Sequence, residues 1–190
     1  MNEVKINALI GIDPGQSNGG IAVYIPSNPA ATKVKVVKMP KDMAELRDFF
    51  AYYAENYRPL VFLEKLSIRP DDIKVEGDAA NLGKLYRVQK MMANFEHLKA
   101  LVETSGIPYV MVHPCQWQSR LKLRLNGVHE EKAARKRRFA ESAQSLYPSI
   151  KVTLWNADAL LLLHFGRVVL ANDLKWVLSN LPQREQNKLF

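Results

Sequence analysis

Apolar residues along this chain gather into short runs divided by polar turns, and into longer stretches where they recur every three or four positions. Asn7 to Asp13 reads as a first strand, with Leu9, Ile10 and Ile12 apolar. Gly20 to Ile25 reads as a second, reached through a tight Gly-rich turn. Lys33 to Met39 alternates Lys33, Lys35 and Lys38 with Val34, Val36 and Val37, the pattern of a half-exposed third strand. These three pieces predict an antiparallel meander. Met43, Leu46, Phe49, Phe50 and Tyr53 then repeat at helical spacing, which predicts an amphipathic helix over Asp42 to Tyr57. Leu60 to Leu63 is a short buried run, expected to pair parallel to the first strand.

Beyond a polar, charged loop at Ile68 to Ala79, a long helix is expected over Ala80 to Ser105, ended by Gly106 and Pro108. Tyr109 to Val112 is another short strand, broken by His113 and Pro114. Gln116 to Leu125 alternates basic residues with leucine. Glu130 to Tyr147 reads as a helix with a very basic first half, and Val152 to Leu154 as a last strand fragment. Trp155 to Ala171 is an apolar helix opened by Asn156 and Asp158. Asn172 to Phe190 shows little pattern of its own. The order β-β-β-α-β-α-β-α-α predicts an α/β domain with a mixed sheet flanked by helices.

Composition narrows the classes. The 190 residues suit one domain with a substantial core, and 47% hydrophobic content suits a soluble protein. No apolar run reaches the roughly 20 residues that span a bilayer, so no membrane role is expected. The N-terminus lacks the layout of a secretory signal, which makes the cytosol the default. The single cysteine, Cys115, excludes an internal disulfide framework and a multi-cysteine zinc site, and it is read as structural. A net charge of +8 favours a polyanionic partner, most simply nucleic acid; a solvated basic surface is the alternative.

Three acids stand out against this pattern. Asp13 and Glu64 each sit at the carboxyl end of an apolar strand, and Asp158 opens an apolar helix. If the first and fourth strands are parallel neighbours, Asp13 and Glu64 emerge side by side at the edge where open α/β sheets bind ligands. Converging carboxylates repel unless cations are present, and oxygen-only ligands suit Mg²⁺ or Mn²⁺. A pair of such ions, roughly 3.5–4 Å apart, supports phosphodiester hydrolysis. Each acid also has a plain reading: Asp13 as a turn former, Glu64 as a residue past a strand end, Asp158 as an acid favoured at a helix N-terminus.

The segments GIDPGQSNGGIAV, VFLEKL and NADALLLL, in that order, resemble the RuvC family of Holliday-junction resolvases within the RNase H-like superfamily. The likeness runs from about Ala8 to about Leu170. It includes the long middle helix, the strand and Pro-containing turn after it, and the basic helix EEKAARKRRFAESAQSLYP. It implies an RNase H-like nuclease domain over residues 1–172 with a tail at 173–190, a homodimer, and Mg²⁺- or Mn²⁺-dependent nicking of a DNA four-way junction. Asp13, Glu64 and Asp158 are then the metal ligands, and Lys132 a phosphate-facing lysine beside them. The chain departs from the family pattern where a fourth ligand is usual, three residues before the helix acid: Trp155 stands there. Asn156, through its amide oxygen, and His164 are the substitutes at hand.

Lys132, Arg135 and Lys136 share one helix face and suit phosphate contacts. Arg120, Lys122 and Arg124 alternate with leucines, so that one side packs while the other meets a backbone. Lys65, Arg69, Lys84 and Arg87 complete the expected nucleic-acid surface. Trp117, Trp155 and Trp176 read as core or rim aromatics. In the family, the helix bearing Leu82, Leu85, Tyr86, Val88, Met92 and Phe95 forms the dimer interface; its pattern alone equally fits an ordinary buried helix. Three rivals remain. An actin-like phosphate loop needs a second Asp-x-Gly loop, which is absent. A nuclease for another DNA or RNA structure shares the same acids. A junction-binding module without cutting is favoured by Trp155 alone.

Overall fold

The computed structural model describes residues 6–15, 19–27, 33–66, 68, 79–125, 130–182 and 186. Its strands are β1 (Ala8–Asp13), β2 (Gly20–Tyr24), β3 (Val34–Lys38), β4 (Pro59–Glu64) and β5 (Tyr109–Val112). Its helices are α1 (Met43–Asn56), α2 (Ala79–Thr104), α3 (Pro114–Arg120), α4 (Lys132–Leu146), α5 (Ala157–Asn172) and α6 (Leu174–Asn180). The strands form one mixed sheet in the order β3-β2-β1-β4-β5. β1 and β2, and β2 and β3, pair antiparallel; β4 runs parallel to β1, and β5 parallel to β4. The expected meander and the parallel first and fourth strands are both present.

Alternation along the strands divides the core into two layers, because successive side chains leave opposite faces of a sheet. Leu9, Leu60, Phe62, Val110 and Val112 face α3, α4, α5 and α6. Ile10, Ile12, Val61, Leu63 and Tyr109 face α1 and the C-terminal half of α2, through Leu46, Phe50, Tyr53, Phe95, Leu98 and Val102. Burying apolar surface at about 25 cal/mol per Å² makes these two layers the main source of stability. α1 is capped by Asp42, whose carboxylate accepts from Ala44 N at 2.8 Å.

One helix lies unusually close to the sheet. A Cβ placed on Gly11 would stand 2.5 Å from the backbone N of Leu163 and 2.7 Å from the carbonyl O of Ala159. Only glycine at this point of β1 lets α5 approach so near, and the approach fixes the height of Asp158, one residue before Ala159.

The structure departs from the expectations in three places. The segment beginning at Pro114 is a helix, nucleated by a capping box in which His113 Nδ1 accepts from Cys115 N and Gln116 Oε1 from His113 N. Val152 to Leu154 form no strand; they lead into the turn before α5. The tail contains α6, capped by Asp173 and anchored by buried Val177 and Leu181. Among the described residues, no helix is long and apolar enough to cross a membrane.

Candidate active site

Parity on the strands aims the two strand acids. Counting from Leu9 in steps of two, Asp13 leaves β1 on the α5 face; counting from Leu60, Glu64 leaves β4 on the same face. The register pairs Ile12 with Leu63, so the two acids occupy the next step along adjacent parallel strands. Asp158 lies in the first turn of α5, the helix packed over that face. Asp13 and Asp158 are buried and Glu64 partly so.

Their environments differ. Asp13 Oδ1 accepts from Gly15 N at 3.2 Å. Glu64 Oε1 accepts from the indole Nε1 of Trp117 at 3.1 Å. Asp158 Oδ2 accepts from Lys136 Nζ, while its Oδ1 is buried with no hydrogen-bond partner among the described residues.

Burial pushes Asp13 up to about 6; the charge on Asp158 adds to this, while Lys136 and the Gly15 N–H oppose it. Burial pushes Glu64 further, to about 8, reinforced by Asp13 and Asp158 and opposed by Trp117 and Lys136. The Lys136 ammonium is penalised by burial, but Asp158, Asp13 and Glu64 outweigh this and raise it above the ordinary lysine value. All four groups therefore share one electrostatic cluster, and the cation in it is a lysine.

Among the described residues, no three His, Cys, Asp or Glu side chains stand together at metal-ligand spacing. The donor set still fits a hard divalent ion in its chemistry. It is oxygen only, its acids repel one another, and one buried carboxylate oxygen lacks a partner.

The remaining expected ligands are placed otherwise. Asn156 is buried, and its amide builds the turn before α5: Oδ1 accepts from Thr153 N at 2.7 Å and Nδ2 donates to Lys151 O at 3.1 Å. His164 lies edge-on to Tyr147, and burial, then the charge on Arg167, lowers its pKa. Trp155 lies over Gly20, the residue paired with Asp13; a Cβ on Gly20 would stand 3.0 Å from the indole ring.

The basic residues divide in the same way. Lys132, expected beside the acids, is exposed at the start of α4. Lys136, one turn further along the same face and nearer the buried Phe139 and Ala143, is the lysine that reaches them. Arg120 is paired with Asp173 at 2.5 Å, which fastens α3 to α6. Arg138 is bound to Glu130 at 2.7 Å and to the carbonyl of Leu123. Lys65, Arg87, Lys122 and Arg124 are exposed, and Lys84 and Arg135 partly so. Arg69 lies outside the described residues.

Sequence reasoning missed Trp117 as a site residue. Its position just after the His113-Pro114 break was visible, but its partner 53 positions earlier was not. It also missed that Cys115 Sγ stands 3.0 Å from His113 Nδ1.

No protein-family model and no curated protein matches this chain. Solved structures do. The chain is similar to the Thermus thermophilus RuvC structure, with 17% identity, a TM-score of 0.51, and coverage of 86% of this chain and 95% of that one. It is also similar to T. thermophilus RuvC in complex with Holliday junction substrate, with 15% identity, a TM-score of 0.52, and coverage of 87% and 96%. At these identities the likeness shows the fold: a RuvC-like, RNase H-like mixed sheet flanked by helices.

Proposed function

We propose that this protein is a divalent-metal-dependent, structure-selective DNA endonuclease that acts on four-way junctions. The observation that carries this reading is the placement of Asp13, Glu64 and Asp158: three acids from β1, β4 and α5 brought to one face at one end of a RuvC-like sheet. Burial first, and repulsion among the acids second, raise the pKa values of Asp13 and Glu64, a cost that a bound cation would relieve.

Asp13, Glu64 and the Oδ1 of Asp158 are the atoms that would hold Mg²⁺ or Mn²⁺. An ion held there would supply water activation and charge neutralisation at the scissile phosphate. The rest falls to the chain itself. Trp117 orients the Glu64 carboxylate, Gly15 N–H orients that of Asp13, and Lys136 holds Asp158. Lys132, Arg135, Arg87, Lys65, Lys122 and Arg124 would take backbone phosphates, which gives affinity without sequence choice. Junction shape and deformability would supply the selectivity.

A second reading is a junction-binding protein that no longer cuts. It is favoured by the absence of a three-ligand cluster among the described residues and by the Trp155 ring lying over Gly20, the residue paired with Asp13. One assay separates the two: a labelled four-way junction incubated with Mg²⁺ or Mn²⁺, next to duplex, flap and RNA–DNA hybrid, with Asp13→Asn in parallel. Paired nicks in the junction alone, lost in the variant, establish the nuclease. Retarded but uncut junction in both metals establishes the binder.

A further inference from the structure

Lys136 changes the charge arithmetic of the cluster. Fully ionised, the three acids carry three negative charges, and the ammonium cancels one of them. A single divalent ion balances what remains. The geometry agrees with the count. Asp158 meets the ammonium through Oδ2 and keeps only Oδ1 without a partner. A second cation bound through Asp158 would need the oxygen that Lys136 covers. Among the described residues, neither neighbour on that side offers a free oxygen: the amide of Asn156 is bound to Thr153 and Lys151, and the Trp155 ring, which offers no lone pair, lies against the residue paired with Asp13.

We propose that Lys136 is a resident cation of the site, so that the protein takes a single divalent ion per chain and the ammonium stands where a second ion would bind. This rests on the reading of the three acids as a cation site. It alters the expectation drawn from the three converging acids, in which two ions serve the hydrolysis. Lys136 sits in the first half of α4, which is seated by buried Phe139 and Ala143 one and two turns further on, and its ammonium meets Asp158.

The test counts ions instead of turnovers. Mn²⁺ binding to the full chain is measured by equilibrium dialysis at pH 8, with free Mn²⁺ read by electron paramagnetic resonance. Wild type is expected to saturate at one Mn²⁺ per chain. Lys136→Met, which keeps the aliphatic stem and removes the charge, is expected to saturate at two. Lys136→Gln serves as a second neutral variant, and circular dichroism confirms that each variant is folded. Lys136→Arg, which restores a positive charge, is expected to return the count to one. Saturation of wild type at two, or an unchanged count and affinity in both neutral variants, overturns the proposal. The junction assay run on the same preparation tells the two readings apart. Wild type that cuts the junction and binds two ions defeats this inference alone. Wild type that binds no Mn²⁺ and leaves the junction whole defeats the nuclease reading with it.

Discussion

The indole of Trp117 donates to the carboxylate of Glu64 across 3.1 Å, joining α3 to the end of β4. The ring itself is fully buried, packed edge-on against Phe139 of α4 at 5.4 Å between centroids. One side chain thus ties a site acid to two of the helices that cover it. α3 forms at that point because the capping box at His113 starts a helix directly after β5, which brings Trp117 back over the strand ends.

Removing that donor tests its role. Trp117→Phe keeps most of the ring volume but deletes the N–H. Leaving a partly buried acceptor unmatched costs about 1–3 kcal/mol, and the smaller ring adds a cavity. Because the Trp117 hydrogen bond lowers the pKa of Glu64, its loss is expected to raise that pKa further. The pH–rate profile for junction cleavage should move to higher pH, while affinity for the junction in Ca²⁺ stays within about twofold. A profile that does not move makes Trp117 a packing residue only.

Stability of the metal-free protein is expected to fall as pH rises from about 6.5 to 8.5. The sign follows from linkage. Glu64 is raised from its ordinary 4.5 to about 8, so the folded state holds a proton that the unfolded state has released, and folding weakens as pH climbs through that window. Asp13, raised to about 6, contributes the same sign mainly below it. His164, lowered by burial, acts in the opposite direction near and below pH 6.5, so the upper window isolates Glu64. Thermal melts at both pH values check this. Glu64→Gln should flatten the slope, and Mg²⁺ should restore much of the loss in wild type.

How much of this was legible in the sequence depends on the kind of interaction. Asp13 and Glu64 stood at strand ends because alternation and apolar runs are local, and the parallel pairing of β1 with β4 followed from the helix between them. Lys132 and Lys136 share a face at i, i+4, so periodicity alone left them equivalent; the depth to which α4 packs through Phe139 decided for Lys136. Trp117 and Glu64 meet across the two elements between them, α2 and β5, and no periodicity reports such a contact. α6 was missed because, among the described residues of that stretch, only Val177 and Leu181 are buried, too few to make a pattern.

Gly11→Ala should be among the most damaging single substitutions. The added methyl would meet backbone atoms of Ala159 and Leu163, which cannot turn aside as a side chain can. α5 must then lift from the sheet and carry Asp158 with it. Overpacking of this kind costs roughly 1–3 kcal/mol, and backbone obstacles place it at or above the upper end. A urea melt should show the loss, and the folded fraction should bind Mn²⁺ more weakly than wild type.

Exposed lysines and arginines should act on affinity and not on the chemical step. Lys132 and Arg135 lie outside the cluster that holds Lys136. The double variant Lys132→Ala with Arg135→Ala should weaken junction binding at 50 mM salt and reduce the salt slope by about 2. Single-turnover cleavage at saturating protein should remain within a few fold. A collapse of that rate would return Lys132 to the place beside the acids from which the structure moved it.

The first half of α2 raises a question of assembly. Leu82 and Tyr86 are 64% and 66% exposed, and Leu85 and Met91 are also exposed. The second half of the same helix buries Phe95, Leu98 and Val102 against the sheet. One helix is therefore core at its C-terminal end and uncovered apolar surface at its N-terminal end, a combination that marks an interaction site more often than a free surface. Two strands of a junction require two cuts, and a pair of active sites related by a twofold axis would supply them. The expected state in solution is a homodimer through this half of α2, measured by light scattering at micromolar concentration. Leu82→Glu with Tyr86→Glu should give a folded monomer, because both positions are open to solvent in the single chain and charge there disturbs nothing inside it. That monomer should nick a junction without the coupled second cut. A wild-type monomer at tens of micromolar would refute the dimer, and a dimer that survives both glutamates would place its interface elsewhere.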